Sequence, residues 1–355
     1  MVLFLNLKNM KTLCVDAQYL LKQSFFGNKD TYSDGFGNIG AIYTFFTIIR
    51  KLLKEFSDID RVILFWDGAK SGKLRYLLYD QYKSNRIGKE WYANPLELTD
   101  KEIEKEIDKD KSILTQRIRI KQYAEELYFR QVEDEITESD DMIAYYCQNL
   151  KENEEVIIYS NDRDLLQLIN NKVSLYLANK KQLITPNNYF LFFKHHLSNT
   201  VLIKSIEGDT SDNISGVQGV KEKTLLKFFP EIKKKTITFN EILDKTKLLQ
   251  EQRIENKLKP LKSLDNILNS KDIYERNMSL VDLSKPLMTP EAIEICNDTH
   301  ILPLDDENRG SKNLLKMMSD DQFISLIWND GDYVDYLMPF INVINSEKDY
   351  LKNYE

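Results

Sequence analysis

Glu155-Val156-Ile157-Ile158-Tyr159-Ser160-Asn161-Asp162-Arg163-Asp164 is the stretch that decides the fold. Its β-branched and aromatic run reads as a buried strand, and the run stops on two carboxylates one residue apart. Two earlier stretches have the same build: Thr12-Leu13-Cys14-Val15-Asp16, and Arg61-Val62-Ile63-Leu64-Phe65-Trp66-Asp67, which Gly68 then breaks. Between them, Ile39–Phe56 carries Ile42, Phe45, Phe46, Ile49, Leu52, Leu53 and Phe56 at helical spacing. Tyr128–Val132 reads as a further strand and Ser139–Leu150 as a helix. Strands alternating with helices predict an α/β fold with a mostly parallel central sheet flanked by helices. All strand C-termini of such a sheet open on one edge, so Asp16, Asp67, Asp162 and Asp164 are expected to meet there.

Further acids point to the same place. Glu138-Ser139-Asp140-Asp141 stands at a helix start, where acids also complement the helix dipole and cap the first turn. Asp209 and Asp212 lie in Gly208-Asp209-Thr210-Ser211-Asp212-Asn213, which taken alone is also an ordinary solvated turn. The candidate set is therefore Asp16, Asp67, Glu138, Asp140, Asp141, Asp162, Asp164, Asp209 and Asp212. So many like charges do not stay ionised in one cleft without cations. Hard oxygen ligands free of His and Cys select Mg²⁺ or Mn²⁺, and two such ions suit phosphodiester hydrolysis. The three cysteines (Cys14, Cys147, Cys296) have no paired spacing and form no zinc box with His195, His196 and His300, so they read as buried or incidental thiols of a reducing cytosol.

Composition sets looser bounds. Hydrophobic residues make up 42% of the 355 and charged residues 30%, an ordinary globular balance. Apolar runs such as Val62–Trp66 are too short to cross a bilayer, and Val2–Leu7 is too short for a signal peptide, so no membrane partner is expected. Met10 followed by Lys11 reads as a second start, which would leave the first nine residues outside the fold. The net charge of −7 argues at first sight against nucleic acid, but setting aside nine clustered acids leaves about +2 for the remaining surface.

Leu98–Leu127 reads as one or two long charged helices, with a capping box at Thr99 and Glu102 and a thin apolar stripe of Ile103, Ile107, Leu114 and Ile118. Beyond about residue 200 helices dominate; Leu302–Lys312 looks like a linker and the rest like a helical tail.

In this order the motifs resemble the 5′ nuclease superfamily: flap endonucleases, the 5′ nuclease domain of bacterial DNA polymerase I, and free-standing bacteriophage 5′ nucleases. Thr12–Asp16 and Phe65-Trp66-Asp67-Gly68 look like the first two ligand-bearing strands, Glu138–Asp141 like the Glu-x-Asp-Asp helix, and Asp162–Leu168 like the Asp-x-Asp strand end. Ile206–Val217, running on into Gln218–Thr224, is similar to the family's helix-hairpin-type DNA-binding loop, with Lys221 where relatives usually carry a second glycine. The likeness spans roughly Thr12 to Leu283 and thins over Leu98–Leu127.

The resemblance implies a PIN-like core over residues 11–200 and an arch at about 84–126, through or under which a 5′ single strand would pass. Residues 201–300 would form a helix-three-turn-helix DNA-binding region with its hairpin at 206–229, and residues 301–355 a helical extension. It implies catalytic cations at Arg75, Lys83 and Arg86, and DNA contacts from Tyr82, Gly216, Val217, Gly219, Val220, Lys221, Lys223 and Thr224. Lys and Arg interleaved with Tyr76, Tyr79 and Tyr82 suit phosphate contact and base stacking, and Gly216 and Gly219 suit close backbone approach to a phosphate. The Arg117–Lys121 side of the arch is expected to face DNA. The implied activity is structure-specific 5′-3′ exonuclease and flap endonuclease cleavage in primer and flap removal during replication. The implied cofactors are two Mg²⁺ or Mn²⁺ ions, with room for a monovalent cation at the hairpin. The implied partners are 5′-flap, nicked or RNA-primed DNA, and replication proteins through the tail. The setting would be the cytoplasm, that of a host if the source is a bacteriophage, which the Lys-, Asn- and Ile-rich composition fits.

Three rivals stand beside this reading. An aspartyl phosphatase would put its Asp-x-Asp pair on the first strand with Thr or Val two residues on, whereas here the pair follows a later strand and position 166 is Leu. An inactive junction-binding protein on the same fold would lack acids, and an RNA-specific nuclease fits Gly208–Phe229 less well than duplex DNA does.

Overall fold

The computed structural model describes residues 9–28, 31–33, 37–86, 100–305, 309–323 and 333–354. In chain order the elements are β1 (Met10–Asp16), α1 (Ala17–Gly27), the two-residue strands β2 (Tyr32–Ser33) and β3 (Gly37–Asn38), α2 (Gly40–Glu55), β4 (Arg61–Asp67), α3 (Lys73–Leu78) and α4 (Asp100–Glu126). β5 (Arg130–Asp134), α5 (Ser139–Gln148), β6 (Glu154–Ser160), β7 (Val173–Leu177), β8 (Gln182–Ile184) and α6 (Tyr189–Phe192) complete the first half. α7 (Thr200–Glu207), β9 (Gly208–Asp209), β10 (Ile214–Ser215), α8 (Glu222–Phe228), α9 (Phe239–Glu255), α10 (Lys262–Leu268), α11 (Lys271–Val281) and α12 (Pro290–Ile301) follow.

The central sheet runs β5-β4-β1-β6-β7-β8, parallel throughout except for β8. β1 lies in its middle, with Val15 opposite Leu64 on one side and Tyr159 on the other. A strand buried on both faces needs an unbroken apolar run, and Leu13, Cys14 and Val15 are fully buried. β7 and β8 were not expected. β8 is only three residues long, Gln182-Leu183-Ile184, which leaves no period to read. The strand expected at Tyr128–Val132 begins two residues later, because Tyr128 takes a left-handed turn (φ 60°) after α4.

The buried face of α4 also differs from the expected stripe. Ile113, Ile120, Tyr123 and Ala124 point into the core, while Leu114 and Ile118 are more than half exposed. Residues 87–99 of the expected arch, including the capping Thr99, lie outside the described residues, as do the side chains of Asp100–Asp110.

The tail is built into the core. Leu314, Met318, Phe323, Tyr336, Phe340 and Val343 share one apolar cluster with Leu13, Val15, Phe46 and Trp66. Glu347, on the C-terminal helix Ile341–Tyr354, is 2% exposed and bridges Arg61 and Arg130, with 2.8 Å from each Nε to its Oε1. Asp321 grips α4 through both Arg119 (2.7 and 2.9 Å) and the Tyr123 hydroxyl (2.8 Å). Among the described residues no helix is long and apolar enough to cross a membrane.

A second buried carboxylate predicts a pH limit. Burial would raise Glu154, but His300 (2.8 Å), Tyr146 and Thr12 (2.9 Å) hydrogen-bond to it and hold it at about 2. A folded-state pKa below the unfolded value gives stability that is complete above about pH 4.5 and lost as the pH falls towards 2. The shift corresponds to about 3 kcal/mol. Glu154→Gln should therefore show a flatter loss of unfolding free energy below pH 5 than the wild type; parallel acid limbs would contradict the linkage.

Candidate active site

The parallel order brings the three strand ends together. Asp16 closes β1, Asp67 closes β4, and Asp162 follows β6, so all three lie on the C-terminal edge of the sheet. Asp16 also caps α1: its Oδ1 accepts the Tyr19 N–H (2.9 Å) and its Oδ2 accepts from the Ser160 hydroxyl (2.8 Å). Asp67 Oδ1 accepts the Ser139 N–H (2.8 Å), which ties β4 to the start of α5 and brings Glu138 and Asp140 to the same edge. The resulting cavity, about 270 Å³, is lined by Asp16, Asp67, Glu138, Asp140, Asp162 and Asp212, with Lys83, Lys22 and Tyr19 beside them.

The electrostatics are those of crowded acids. Burial, with the charges of Asp67 and Asp162, pushes Asp16 up to about 7. Asp140 is raised well above the carboxylate range by burial and then by Asp162, Asp16, Asp67 and Glu138. Glu138 goes the other way: burial opposes its charge, but Lys83 and Arg75 outweigh that and hold it at about 2. Tyr82 also donates to both Glu138 oxygens (3.0 and 3.2 Å).

Among the described residues no three such side chains are already gathered into a coordination shell. Glu138 is engaged by Lys83 and Arg75, while Lys204 on α7 pairs with Asp164 and, at 2.8 Å, with Asp209. The lining still fits a hard divalent cation. It contains no His or Cys, and burial followed by mutual repulsion raises the pKa values of Asp16 and Asp140, a cost that a bound cation would offset.

Several expected roles change. Arg75 is 6% exposed: its Nε donates to the Leu280 carbonyl (2.8 Å), and its other nitrogens are held by Glu138 and Asp141. Its guanidinium is thus engaged by two acids and a backbone carbonyl. Asp141, 1% exposed, is committed to Arg75 and to the Leu287 N–H (2.9 Å) and does not line the cavity. Asp164 and Asp209 flank Lys204 outside that lining. Tyr82, 6% exposed, is used by Glu138, so base stacking would fall to Tyr76, which is half exposed. Arg86 ends the turn Ser84–Arg86, and its side chain lies outside the described residues.

The hairpin is also built differently from expectation. Val217 and Val220 are core residues packed with Leu202, Ile206 and Leu225, and their N–H groups donate to Ile206 and Val217 carbonyls. A Cβ on Gly216 would lie 2.0 Å from the Glu207 carbonyl oxygen, so that glycine serves the close contact with the chain's own backbone. Gly219 has a left-handed φ of 73° with nothing within 4 Å of its Cβ position, so its open face remains available to a phosphate. Lys221 and Lys223 are exposed, and Thr224 is half-buried. On α4, Arg117 and Lys121 pair with Glu133 and Arg119 with Asp321, so that basic side faces the protein.

Lys22 and Lys204 were missed by sequence reading. Lys22 follows Gln18 and Tyr19 on the face of α1 that Asp16 begins, a helical spacing that would have found it.

A family profile described as "5'-3' exonuclease, N-terminal resolvase-like domain" matches residues 11–194. A 5'-3' exonuclease of Mycoplasmopsis pulmonis is 29% identical over 231 residues, 64% of this chain and 69% of that protein. The thermostable DNA polymerase I of Thermus caldophilus is 32% identical over 225 residues, 62% of this chain, and the match spans 24% of its length. Among solved structures, T5 5'-exonuclease, described with bound zinc, superposes with a TM-score of 0.58 at 22% identity, covering 89% of this chain and 99% of that one. A bacteriophage T5 flap endonuclease described with DNA and metal ions gives 0.58 at 21%, covering 88% and 99%; at such identities the likeness bears on the fold. With the profile matching more than half of its length, the chain belongs to the 5′-3′ exonuclease family.

Proposed function

We propose that the chain is a divalent-metal-dependent, structure-specific 5′ nuclease that hydrolyses phosphodiester bonds of DNA near single-strand/double-strand junctions. The observation that carries this reading is one cavity lined by Asp16, Asp67, Glu138, Asp140, Asp162 and Asp212 with Lys83 at its rim. Asp16, Asp67, Glu138, Asp140 and Asp162 would hold one Mg²⁺ or Mn²⁺ ion; Asp141, Asp164, Asp209 and Asp212 would complete a second site or act through water. Ions there would supply Lewis acidity to the attacking water and the scissile phosphate.

The chain's own groups do the rest. Lys83, partly exposed in the lining, would meet a non-bridging phosphate oxygen. Arg75 would hold Glu138 and Asp141 in place, and Lys22 would extend the cationic rim. Gly219, Lys221 and Lys223 would take the duplex backbone, so substituting either lysine should weaken binding and flatten its salt dependence. A monovalent cation at the hairpin belongs to the same reading. Residues 11–200 would form the nuclease unit with the arch at 84–126, residues 201–300 the DNA-binding region, and residues 301–355 an extension braced on the core. Removal of primers and flaps in a cytoplasmic replication setting, with replication proteins as partners, is the biological role that this chemistry suits.

Lys83→Ala is expected to lose on the order of 2–4 kcal/mol of transition-state stabilisation, since its charge would meet the phosphate where negative charge develops. Single-turnover rates at saturating enzyme check this; a variant that only binds more weakly would remove Lys83 from the chemistry. The function itself is tested by comparing 5′-flap, 3′-flap and unbranched duplexes in Mg²⁺. Cleavage confined to 5′-ended structures supports the reading, and cleavage indifferent to polarity overturns it.

A further inference from the structure

Two loops meet at the rim of the cavity. One, Gln81–Asn85, carries Lys83; the other, Asp209–Asn213, carries Asp212 and leads directly into β10 and the hairpin. Several hydrogen bonds join them, one of them from the Tyr82 hydroxyl to Asp212 Oδ2 (3.4 Å). The Lys83 N–H donates to the Asp212 carbonyl (2.9 Å), and the Asn85 amide donates to the Thr210 carbonyl (2.9 Å). The Asn213 amide donates twice, to the Gln81 carbonyl (2.9 Å) and the Ser84 hydroxyl (2.8 Å).

Both loops also hold non-glycine residues in the left-handed region, Lys83 at φ 53° and Asn213 at φ 57°. Such backbone persists only where its surroundings over-determine it, and here each loop supplies the other's constraint. Asparagine tolerates that conformation better than most residues and brings two amide hydrogens, so one side chain satisfies both demands. Below the junction, Tyr82 packs with Ile214 and Leu280, and the amide of the buried Asn277 donates to the Ser215 carbonyl (3.1 Å). The segment carrying the reactive lysine and the first turn of the hairpin therefore move as one body.

We propose that Asn213 is a positioning residue that sets Lys83 in the cavity by stapling the Lys83 loop to the hairpin loop, so that duplex engagement by the hairpin and placement of the lysine are mechanically one event. This rests on the nuclease reading above, in which Lys83 meets the scissile phosphate. Asn213 itself touches no substrate; it acts through the Gln81 carbonyl and the Ser84 hydroxyl.

The test uses the full chain, a 5′-flap duplex and Mg²⁺. Asn213→Gly keeps the left-handed backbone without strain and deletes both donated bonds; Asn213→Asp keeps the shape but cannot donate. Both should slow single-turnover cleavage roughly 30- to 100-fold, a range set by the size of hydrogen-bond and positioning effects, with flap affinity within about threefold of wild type. Asn85→Ala, which removes one staple bond elsewhere in the same junction, should slow it less, by roughly threefold to tenfold.

The decisive readout is the double variant. In a Lys83→Ala background, Asn213→Gly should cost less than about threefold more, because the residue through which it acts is already gone. Effects that multiply in the double variant would assign Asn213 to Asp212 or to general stability and overturn the proposal, as would a wild-type rate in Asn213→Gly. If Asn213→Gly does not fold, Asn213→Asp and Asn85→Ala carry the same comparison. A wild-type chain that leaves 5′ flaps uncut refutes the nuclease reading itself, a failure distinct from that of the staple.

Discussion

Asp140→Asn is expected to abolish cleavage, by on the order of 10³-fold or more, while DNA binding stays intact or tightens. Asp140 sits in the first turn of α5, where Asp67 anchors the helix start, and shares the cavity with Asp16, Asp67 and Asp162. Replacing its carboxylate with an isosteric amide removes one donor from the proposed ion site and one negative charge from a cleft that must accept phosphate. The same substitution should make the ion-free protein more stable at neutral pH. Burial and four neighbouring acids raise the Asp140 pKa, so its ionised form is disfavoured in the fold, and that penalty grows as the pH rises above the ordinary carboxylate value. An inactive but stabilised variant, measured by denaturant unfolding in chelator and by flap binding, is a combination that a damaged fold does not produce. Near wild-type turnover in Mg²⁺ would remove Asp140 from the site.

Glu347→Ala is expected to destabilise the protein by about 3–5 kcal/mol, the scale for breaking a buried ion pair from one side. Its carboxylate is the shared partner of Arg61 and Arg130, whose side chains are 2% exposed, and both guanidiniums also lie within 5.5 Å of the Tyr350 ring centroid. Removing Glu347 leaves two cations buried at the start of β4 and β5 with no counter-charge from the tail. Glu347→Gln should cost less, because the amide oxygen still accepts a hydrogen bond. Urea unfolding reads both, and an unchanged midpoint would show that the extension is dispensable to the core.

The central sheet was legible because a parallel strand buried on both faces writes itself as a continuous apolar run, and three such runs end on Asp16, Ser160-Asn161-Asp162 and Asp67. Of the residues the motif resemblance singled out, Asp16, Asp67, Glu138, Asp140, Asp162, Asp212 and Lys83 line one cavity. The resemblance did not reveal which side chains would be consumed by the protein itself. Arg75, Tyr82 and Asp141 look like surface chemistry in the sequence, but burial and mutual pairing turn them inward. Val217, Val220 and Gly216 sit in the segment that resembles a DNA-binding hairpin, and their side chains or close contacts serve its own packing. The partners of Arg75, Tyr82 and Asp141 lie far along the chain, as Arg75 and Asp141 do at a separation of 66 positions, and no local period encodes them. The packing of the helical tail was illegible for the same reason: Glu347 meets Arg61 across 286 residues, and only the fold brings them together.

The most direct measurement of the central claim is a 5′-labelled flap duplex incubated with the wild-type chain in chelator, then in Mg²⁺, with products sized to the nucleotide. The account predicts no product in chelator and, on adding Mg²⁺, fragments ending within a few nucleotides of the junction, with Asp16→Asn run in parallel giving none. Cleavage that persists in chelator, or that survives in Asp16→Asn, would contradict it.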